Sequence, residues 1–173
     1  MNVVVATLDD VPALRRIMDR AIAELQQPFL SPAQLTASKE LMGLDTQLII
    51  DGTYFKVIDG DTPVGCGGWS RRATLFGGDH TTGRSNTLLD PSSEPARVRA
   101  MYTDPDHARR GIGRLILQAC EQAARAEKFS RVELAATLAG VPLYEACGFV
   151  AIEHRMEPTS TVAVPLVRMQ KPL

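Results

Sequence analysis

The sequence predicts an α/β domain built on a mixed, largely antiparallel sheet of about seven strands, with about four helices flanking it. Two observations predict this fold: several short runs with the alternation or apolar content of strands, and longer stretches with apolar residues at helical spacing. The chain has 173 residues, of which 45% are apolar and 23% charged. This is the size and composition of one globular domain, and we expect it to span residues 1–173.

The first elements are predicted to be a strand followed by two helices. Residues 2–6 form an apolar run, after which Thr7 and Asp10 have the spacing of a capping box at a helix start. Apolar residues then recur at helical spacing for about four turns. Ser31 followed by a proline predicts the start of a second helix, and Gly43 ends it.

A hairpin and a long loop are predicted next. Residues 53–58 and 64–69 are apolar-rich and are joined by a turn sequence at 59–63, which favours antiparallel pairing. Three glycines in the second run indicate a bulge or a close backbone approach: Gly65, Gly67 and Gly68. Residues 73–95 have weak periodicity and are predicted to form a loop of a length that is usually functional or disordered.

The middle of the chain carries the strongest signal. Residues 97–103 alternate as a half-buried strand does, and a helix with an apolar stripe begins at the glycine pair Gly111 and Gly113. A helix start offers unpaired N–H groups and partial positive charge, and glycines and arginines beside it suit a phosphate group. The alternative is a plain surface turn with solvated arginines.

Two other phosphate-binding motifs do not fit this stretch. A dinucleotide-binding turn needs a third small residue where Ile116 stands, and a tight turn directly after the strand. A nucleoside-triphosphate loop needs a Gly-Lys-Ser/Thr triplet, which is missing here.

The remaining elements are a strand at 131–134, a short helix near Tyr144 and a closing hairpin from residues 149–157 and 162–169. Pro165 predicts that the last strand is an edge or irregular strand.

Residues 97–149 resemble the GNAT superfamily of acetyl-CoA-dependent N-acetyltransferases. The family motif is a strand, a loop, and Arg/Gln-x-x-Gly-x-Gly/Ala opening a helix, followed about 30 residues later by a helix with a tyrosine that ends in Gly-Phe. Here Arg109 to Arg114 and the run from Pro142 to Phe149 match in that order. The first motif position is Ala108, and the Asn that often follows the second strand is Thr137.

The resemblance implies a single GNAT domain that binds acetyl-CoA as co-substrate, with Tyr144 as the catalytic acid. It places the co-substrate on Met101, Tyr102, Thr103, Arg109, Arg110, Gly111, Ile112, Gly113, Arg114 and Thr137. In the family, the strand before the glycine loop splays from its neighbour, and its free N–H groups hold the pantetheine arm; Met101 and Thr103 would supply them here. The alternative for Tyr144 is a core tyrosine that only packs.

The general base is not identified by the sequence. Some family members carry a glutamate at the position of Arg97, so that role is unfilled. Glu94, Asp79 and His80 are candidates, and each is also explained as a solvated surface residue. The histidines lack metal-ligand spacing, so no metal is implied.

The function expected is transfer of acetyl from acetyl-CoA to a primary amine of a small molecule or peptide. The alternative is a non-catalytic acyl-CoA-binding module or sensor. Acceptor choice is expected to lie in Arg71, Arg72 and the loop at 73–95, with at most one arginine facing the site.

The composition of the chain limits which binding partners and which cellular compartment we expect. A net charge of -1 indicates neither a nucleic-acid nor a membrane surface. No run is apolar enough to be a signal peptide or to span a bilayer. Three widely spaced cysteines, at 66, 120 and 147, are typical of buried thiols in a reducing compartment, so we expect a cytoplasmic protein. A homodimer is left open.

Overall fold

The computed structural model describes residues 1–173 and contains one seven-stranded sheet with helices on both faces. The strands are β1 Asn2–Val5, β2 Tyr54–Asp59, β3 Thr62–Ser70, β4 Ala96–Thr103, β5 Arg131–Ala136, β6 Val150–Glu157 and β7 Val164–Pro172. The helices are α1 Val11–Leu25, α2 Pro32–Leu41, α3 Thr46–Ile50, α4 Ile112–Ala126 and α5 Val141–Ala146, with 3-10 turns at Leu8–Asp10 and Pro105–His107.

The strand order is β1-β2-β3-β4-β5-β7-β6, and only the β4–β5 pair is parallel. This confirms the predicted mixed, mostly antiparallel sheet. There are five α-helices where about four were expected, because α3 is too short to show a periodic apolar pattern. Asp45 caps α3 by accepting a hydrogen bond from Gln47 N at 3.1 Å.

The predicted helix starts form as capping boxes. Thr7 N donates to Asp10 Oδ2 at 2.8 Å, although this box opens a 3-10 turn that leads into α1. At α2, Gln34 N donates to Ser31 Oγ at 3.2 Å while Ser31 N donates back to Gln34 Oε1 at 3.1 Å. Local sequence therefore fixes where both helices begin.

Helix α4 lies directly on β3 because β3 is glycine-rich. A Cβ at Gly65 would stand 2.3 Å from Ile112 Cγ2, and one at Gly67 would stand 2.8 Å from Ile116 Cγ2. The β2–β3 register also shifts, because Val57 pairs with Gly65 and Ile58 with Pro63, so that β3 has one extra residue next to Gly65. Both expectations for these glycines, a bulge and a close backbone approach, are confirmed.

The apolar core lies on both faces of the sheet. One cluster joins α4 and α5 to the sheet and includes Ile116 and Phe149, whereas another joins α1 and α3 and includes Leu14 and Leu48. None of the helices combines the length and the apolar content of a membrane span.

Of the two alternatives predicted from Pro165, an edge strand or an irregular strand, the edge strand is wrong, since β7 lies between β5 and β6. Pro165 is tolerated because β5 ends opposite Val167, so that no strand on that side requires the missing N–H of Pro165. The edge strand is β6.

Candidate active site

The centre of the sheet contains a gap between β4 and β5. The two strands pair only at Ala96 with Val132 and at Arg97 with Glu133, and then diverge. The rest of β4 therefore has a strand neighbour on one side only, in agreement with the splay that the motif implied.

A bulge in β4 faces this gap. Arg99 pairs with Gly68 and Tyr102 with Cys66, so Ala100 and Met101 together oppose one residue of β3. Ala100 has a φ of 51°, which is uncommon for a residue with a side chain. Its carbonyl accepts a hydrogen bond from the hydroxyl of the fully buried Tyr54 at 2.7 Å, which holds the bulge in place.

Backbone donors of β4 point into the gap. Asp104 N donates to Val64 O of β3 at 2.9 Å. Because N–H directions alternate along a strand, the N–H of Thr103 points the other way, toward the gap. The N–H of Met101 shares a trans peptide with the carbonyl that Tyr54 binds, so it points away from Tyr54.

A cavity of about 80 Å³ occupies the gap. Met101 and Tyr144 line it from the α4/α5 side of the sheet, and Leu41, Gly43 and Phe76 line it from the opposite side. The cavity thus reaches both faces, so two molecules could meet in it from opposite directions.

Helix α4 begins beside this gap without a side-chain cap. Gly111 is its N-cap, with a φ of +83°, and a Cβ there would contact nothing within 4 Å. The first helical bond runs from Leu115 N to Gly111 O at 3.1 Å, which leaves the N–H groups of residues 112–114 without helical partners. Arg109 and Arg114 are exposed next to them, so the helix start is electropositive and open.

The second glycine of the motif has a different task. A Cβ at Gly113 would lie 2.5 Å from Leu143 Cδ2, so its missing side chain makes room for α5. Gly113 therefore fixes the distance between the helix start and the helix that carries Tyr144.

Tyr144 points its hydroxyl toward the bulge. The hydroxyl lies 3.8 Å from Met101 Sδ, a weak acceptor, and the ring packs edge-to-face on Phe149 at 5.8 Å. Burial raises the pKa of Tyr144 above its ordinary value, with further contributions from Cys120 and Cys147. The phenol is therefore protonated at neutral pH.

The family model described as Acetyltransferase (GNAT) family matches residues 19–149. The chain belongs to this acetyltransferase family. Among curated proteins, none matches the sequence significantly.

Solved GNAT structures share the fold. A GCN5-related N-acetyltransferase from Rhodopseudomonas palustris aligns with a TM-score of 0.72 at 16% identity, covering 99% of this chain and 95% of that one. PaiA N-acetyltransferase from Thermoplasma acidophilum, solved with coenzyme A, gives 0.67 at 10% identity over 99% and 98%. Ribosomal-protein-alanine N-acetyltransferase from Brucella melitensis gives 0.66 at 18% identity over the full length of both chains.

Thr137, at the family's frequent asparagine position, lines the cavity and lies in the turn before α5. Its Oγ1 accepts a hydrogen bond from Gly140 N at 3.2 Å. The hydroxyl proton remains able to donate into the cavity, since a threonine hydroxyl can accept and donate at once.

The candidate bases all lie outside the cavity wall. Glu94 accepts from Asp90 N at 2.8 Å, Asp79 accepts from Thr46 N at 3.0 Å, and the His80 ring bonds Lys39 O at 2.7 Å. No carboxylate and no imidazole lines this GNAT cavity.

Sequence reasoning missed a buried ion cluster behind the cavity. Arg99 lines the cavity, and its guanidinium contacts Asp45 at 2.6 Å and Gly77 O at 2.7 Å. Asp45 is fully buried and also holds Arg84 at 2.7 Å. Asp45 and Arg99 are far apart in sequence and have no motif spacing, so only their position as charged residues between apolar ones could have marked them.

The two arginines expected to select the acceptor are used elsewhere. Arg71 forms an ion pair with Glu127, and Arg72 holds Asp51 at 2.7 and 2.9 Å. Neither lines the cavity, which is compatible with the expectation that at most one of them faces it, and their part in acceptor choice stays a prediction. The loop itself does reach the cavity, through Leu75, Phe76 and Gly77.

Proposed function

We propose that this GNAT protein transfers an acetyl group from acetyl-CoA directly to a primary amine of a small molecule or peptide. The observation that carries the proposal is the cavity in the β4–β5 gap. Residues from both faces of the sheet line it, Tyr144 is part of its wall, and it lies beside the uncapped start of α4. Two substrates and a proton donor can meet there.

The residues of this chain fit acetyl-CoA. The N–H groups of Ile112, Gly113 and Arg114 would hold the pyrophosphate, and the exposed Arg109 and Arg110 add positive charge. Arg110 lies 3.4 Å from Asp59, so it is only loosely held within the protein. The N–H groups of Met101 and Thr103 and the Thr137 hydroxyl would hold the pantetheine arm, with the backbone of Tyr102 between them.

Acetyl-CoA supplies a thioester carbonyl that an amine can attack. The Met101 N–H would stabilise the negative charge that develops on the carbonyl oxygen, because it is fixed by the bulge before the substrate arrives. Tyr144 would donate its proton to the departing thiolate of coenzyme A.

The amine proton has no side-chain acceptor in the cavity wall. It would leave through water, so only the fraction of acceptor that is already a free amine would react. The specificity constant should therefore rise with pH up to the pKa of the amine, which is roughly 8 for an α-amino group.

The test is incubation with acetyl-CoA and a panel of amines, followed by detection of the free thiol and of the product mass. The panel includes a peptide that begins with alanine, because one structural relative is named for that substrate. Thiol release together with a 42-dalton gain on one amine, about the mass of an added acetyl group, is the expected result.

The absence of a carboxylate or imidazole in the cavity wall favours one alternative, an acyl-CoA-binding module without transfer. Calorimetric binding of acetyl-CoA with no product from any amine would support that module.

A further inference from the structure

The outer strand β6 has an unpaired edge with apolar side chains in water. It pairs only with β7 and supplies no residue to the cavity. Val150, Ile152 and Met156 are 61%, 46% and 60% exposed. Such an edge is a ready surface for pairing with another strand.

The position of Pro165 indicates which groups of β6 are free. Pro165 lies opposite Met156 and lacks a backbone N–H. The two residues therefore form a non-hydrogen-bonded pair of the antiparallel β6–β7 ladder. The N–H and C=O of Met156 then point away from β7. Those of His154, two residues earlier in the same ladder, also point to the free edge.

The sequence of β6 is complementary to itself about His154. If two copies pair antiparallel with His154 at the two-fold axis, Glu153 faces Arg155 of the partner subunit, and symmetry repeats that pair. Ile152 faces the partner's Met156 on the other side of the ladder, so charged pairs lie on one side and apolar pairs on the other.

Each charged side chain of this pairing also has a partner within its own copy. Within one copy, Arg155 Nε and Glu153 Oε1 are 3.9 Å apart, which is too far for a hydrogen bond. Each side chain also has a closer contact, Glu153 with Arg168 at 2.9 Å and Arg155 with Glu157 at 3.1 Å. These contacts hold both side chains in place at the strand.

We propose that the chain forms a two-fold symmetric homodimer in which the β6 edges pair antiparallel through His154, over residues 152–156. The register shift between Ala151 and Glu153 limits the regular ladder on one side. A single strand pair is a small interface, so we expect self-association at roughly micromolar concentrations.

Charge reversal tests the register. Arg155→Glu places glutamates opposite each other at both symmetric positions, and Glu153→Arg places arginines there. Each variant alone should self-associate about tenfold or more weakly than the parent chain, measured by sedimentation velocity over a concentration series. Mixed in equal amounts, the two should form a heterodimer, because each glutamate then meets an arginine. The exposed Arg16→Glu on α1 is the matched control and should dimerise as the parent does.

Disulfide formation between two copies is an independent test of the register. It can be detected even in a variant that is somewhat less stable than the parent chain. His154→Cys should form a covalent dimer on mild oxidation, because Cα atoms of a hydrogen-bonded antiparallel pair are about 5.5 Å apart, within disulfide range. Glu153→Cys should not, since its symmetry mate is displaced along the strand. The parent chain, whose Cys66 and Cys120 are buried, reports any background from the half-buried Cys147.

Circular dichroism melts establish that each variant is folded. A chain that is monomeric at all concentrations overturns the proposal. So does a dimer that both charge reversals leave intact, because it would use another surface. Failure of the mixed pair to associate, with both variants folded, overturns the register.

Discussion

Gly111 sets the geometry of the helix start through its backbone, not through lack of space. Its φ of +83° is one that residues with a side chain rarely adopt, while a Cβ there would meet nothing. Any substitution at this position is therefore strained, whatever its size. This makes it possible to separate backbone strain from charge.

We expect Gly111→Glu to abolish coenzyme A binding and Gly111→Ala to weaken it much less. Both carry a similar strain of about 1 kcal/mol, but only Glu brings a negative charge to the proposed pyrophosphate site. Isothermal calorimetry with coenzyme A measures the difference. Equal affinities for the two folded variants would contradict the placement of the pyrophosphate.

Tyr144→Phe should lower turnover about a hundredfold and leave coenzyme A affinity nearly unchanged, because the phenol acts mainly in the transition state. Burial already raises the pKa of Tyr144, so the acid form persists from acidic to mildly alkaline pH. Single-turnover kinetics checks the chemical step. Unchanged turnover in that step would make Tyr144 a packing residue.

The roles of these residues could be predicted from the sequence only where the residues belong to a recognisable motif. Gly111 and Tyr144 stand in ordered motifs, and the structure brings both to one region. The reason for Gly113 was not reachable, because it depends on Leu143, which folds against it from another element.

At the scale of elements, the long loop at 71–95 is pinned rather than free. Arg84 binds the fully buried Asp45, Arg99 of β4 binds the same carboxylate and Gly77 O, and Arg72 binds Asp51. Burial lowers the pKa of Arg99, while Asp45 opposes that change. The arginines that we expected to select the acceptor thus secure the loop, and its apolar residues reach the cavity.

Phe76→Ala should lower the specificity constant of the acceptor and leave acetyl-CoA affinity unchanged, since Phe76 lines the cavity from the side opposite α4. Loss of a large apolar contact is worth roughly ten- to a hundredfold. Steady-state kinetics with any acceptor found in the amine panel measures it. Leu88→Ala, in the same loop but 61% exposed, is the matched control. Equal effects of the two substitutions would place the acceptor elsewhere.

At the scale of the whole molecule, Glu133 ties three strands together. This buried carboxylate of β5 accepts hydrogen bonds from Arg168 at 2.6 Å and Gln170 at 2.7 Å in β7, and it lies 3.2 Å from Arg97 in β4. Burial by itself would raise the pKa of Glu133, but the Arg168 and Gln170 hydrogen bonds, with the charge of Arg97, lower it overall. A carboxyl with a lowered pKa in the folded state stabilises the fold at pH above its unfolded pKa of about 4.3.

That stabilisation should be lost as the pH falls below about 4, through the pKa of the folded state. We expect Glu133→Gln to be less stable at neutral pH and to lose less of its free energy of unfolding on acidification than the parent. Urea unfolding at pH 7 and at pH 3 measures both. Glu94→Gln in the exposed loop is the control. A parallel loss in Glu133→Gln and parent would assign the acid sensitivity to other carboxyls.

The order of strands and helices was largely predictable, because each strand is a short apolar or alternating run and α1 and α4 have clear apolar stripes. The position of β7 inside the sheet was not, since Pro165 is typical of an edge. Its tolerance depends on where β5 ends, which is a property of the assembled sheet. The cavity wall was likewise hidden, because α2, the long loop and β7 meet there only after folding.

The short pairing between β4 and β5 affects how the two halves of the sheet can move relative to each other. The sheet consists of two groups of strands, β1 to β4 and β5, β7 and β6. Only two residue pairs of the β4–β5 ladder join these groups. A small rotation of one group of strands against the other would widen or narrow the gap between β4 and β5 without breaking any hydrogen bond within either group. Such a rotation would change the width of the cavity while each group of strands keeps its own ladder of hydrogen bonds.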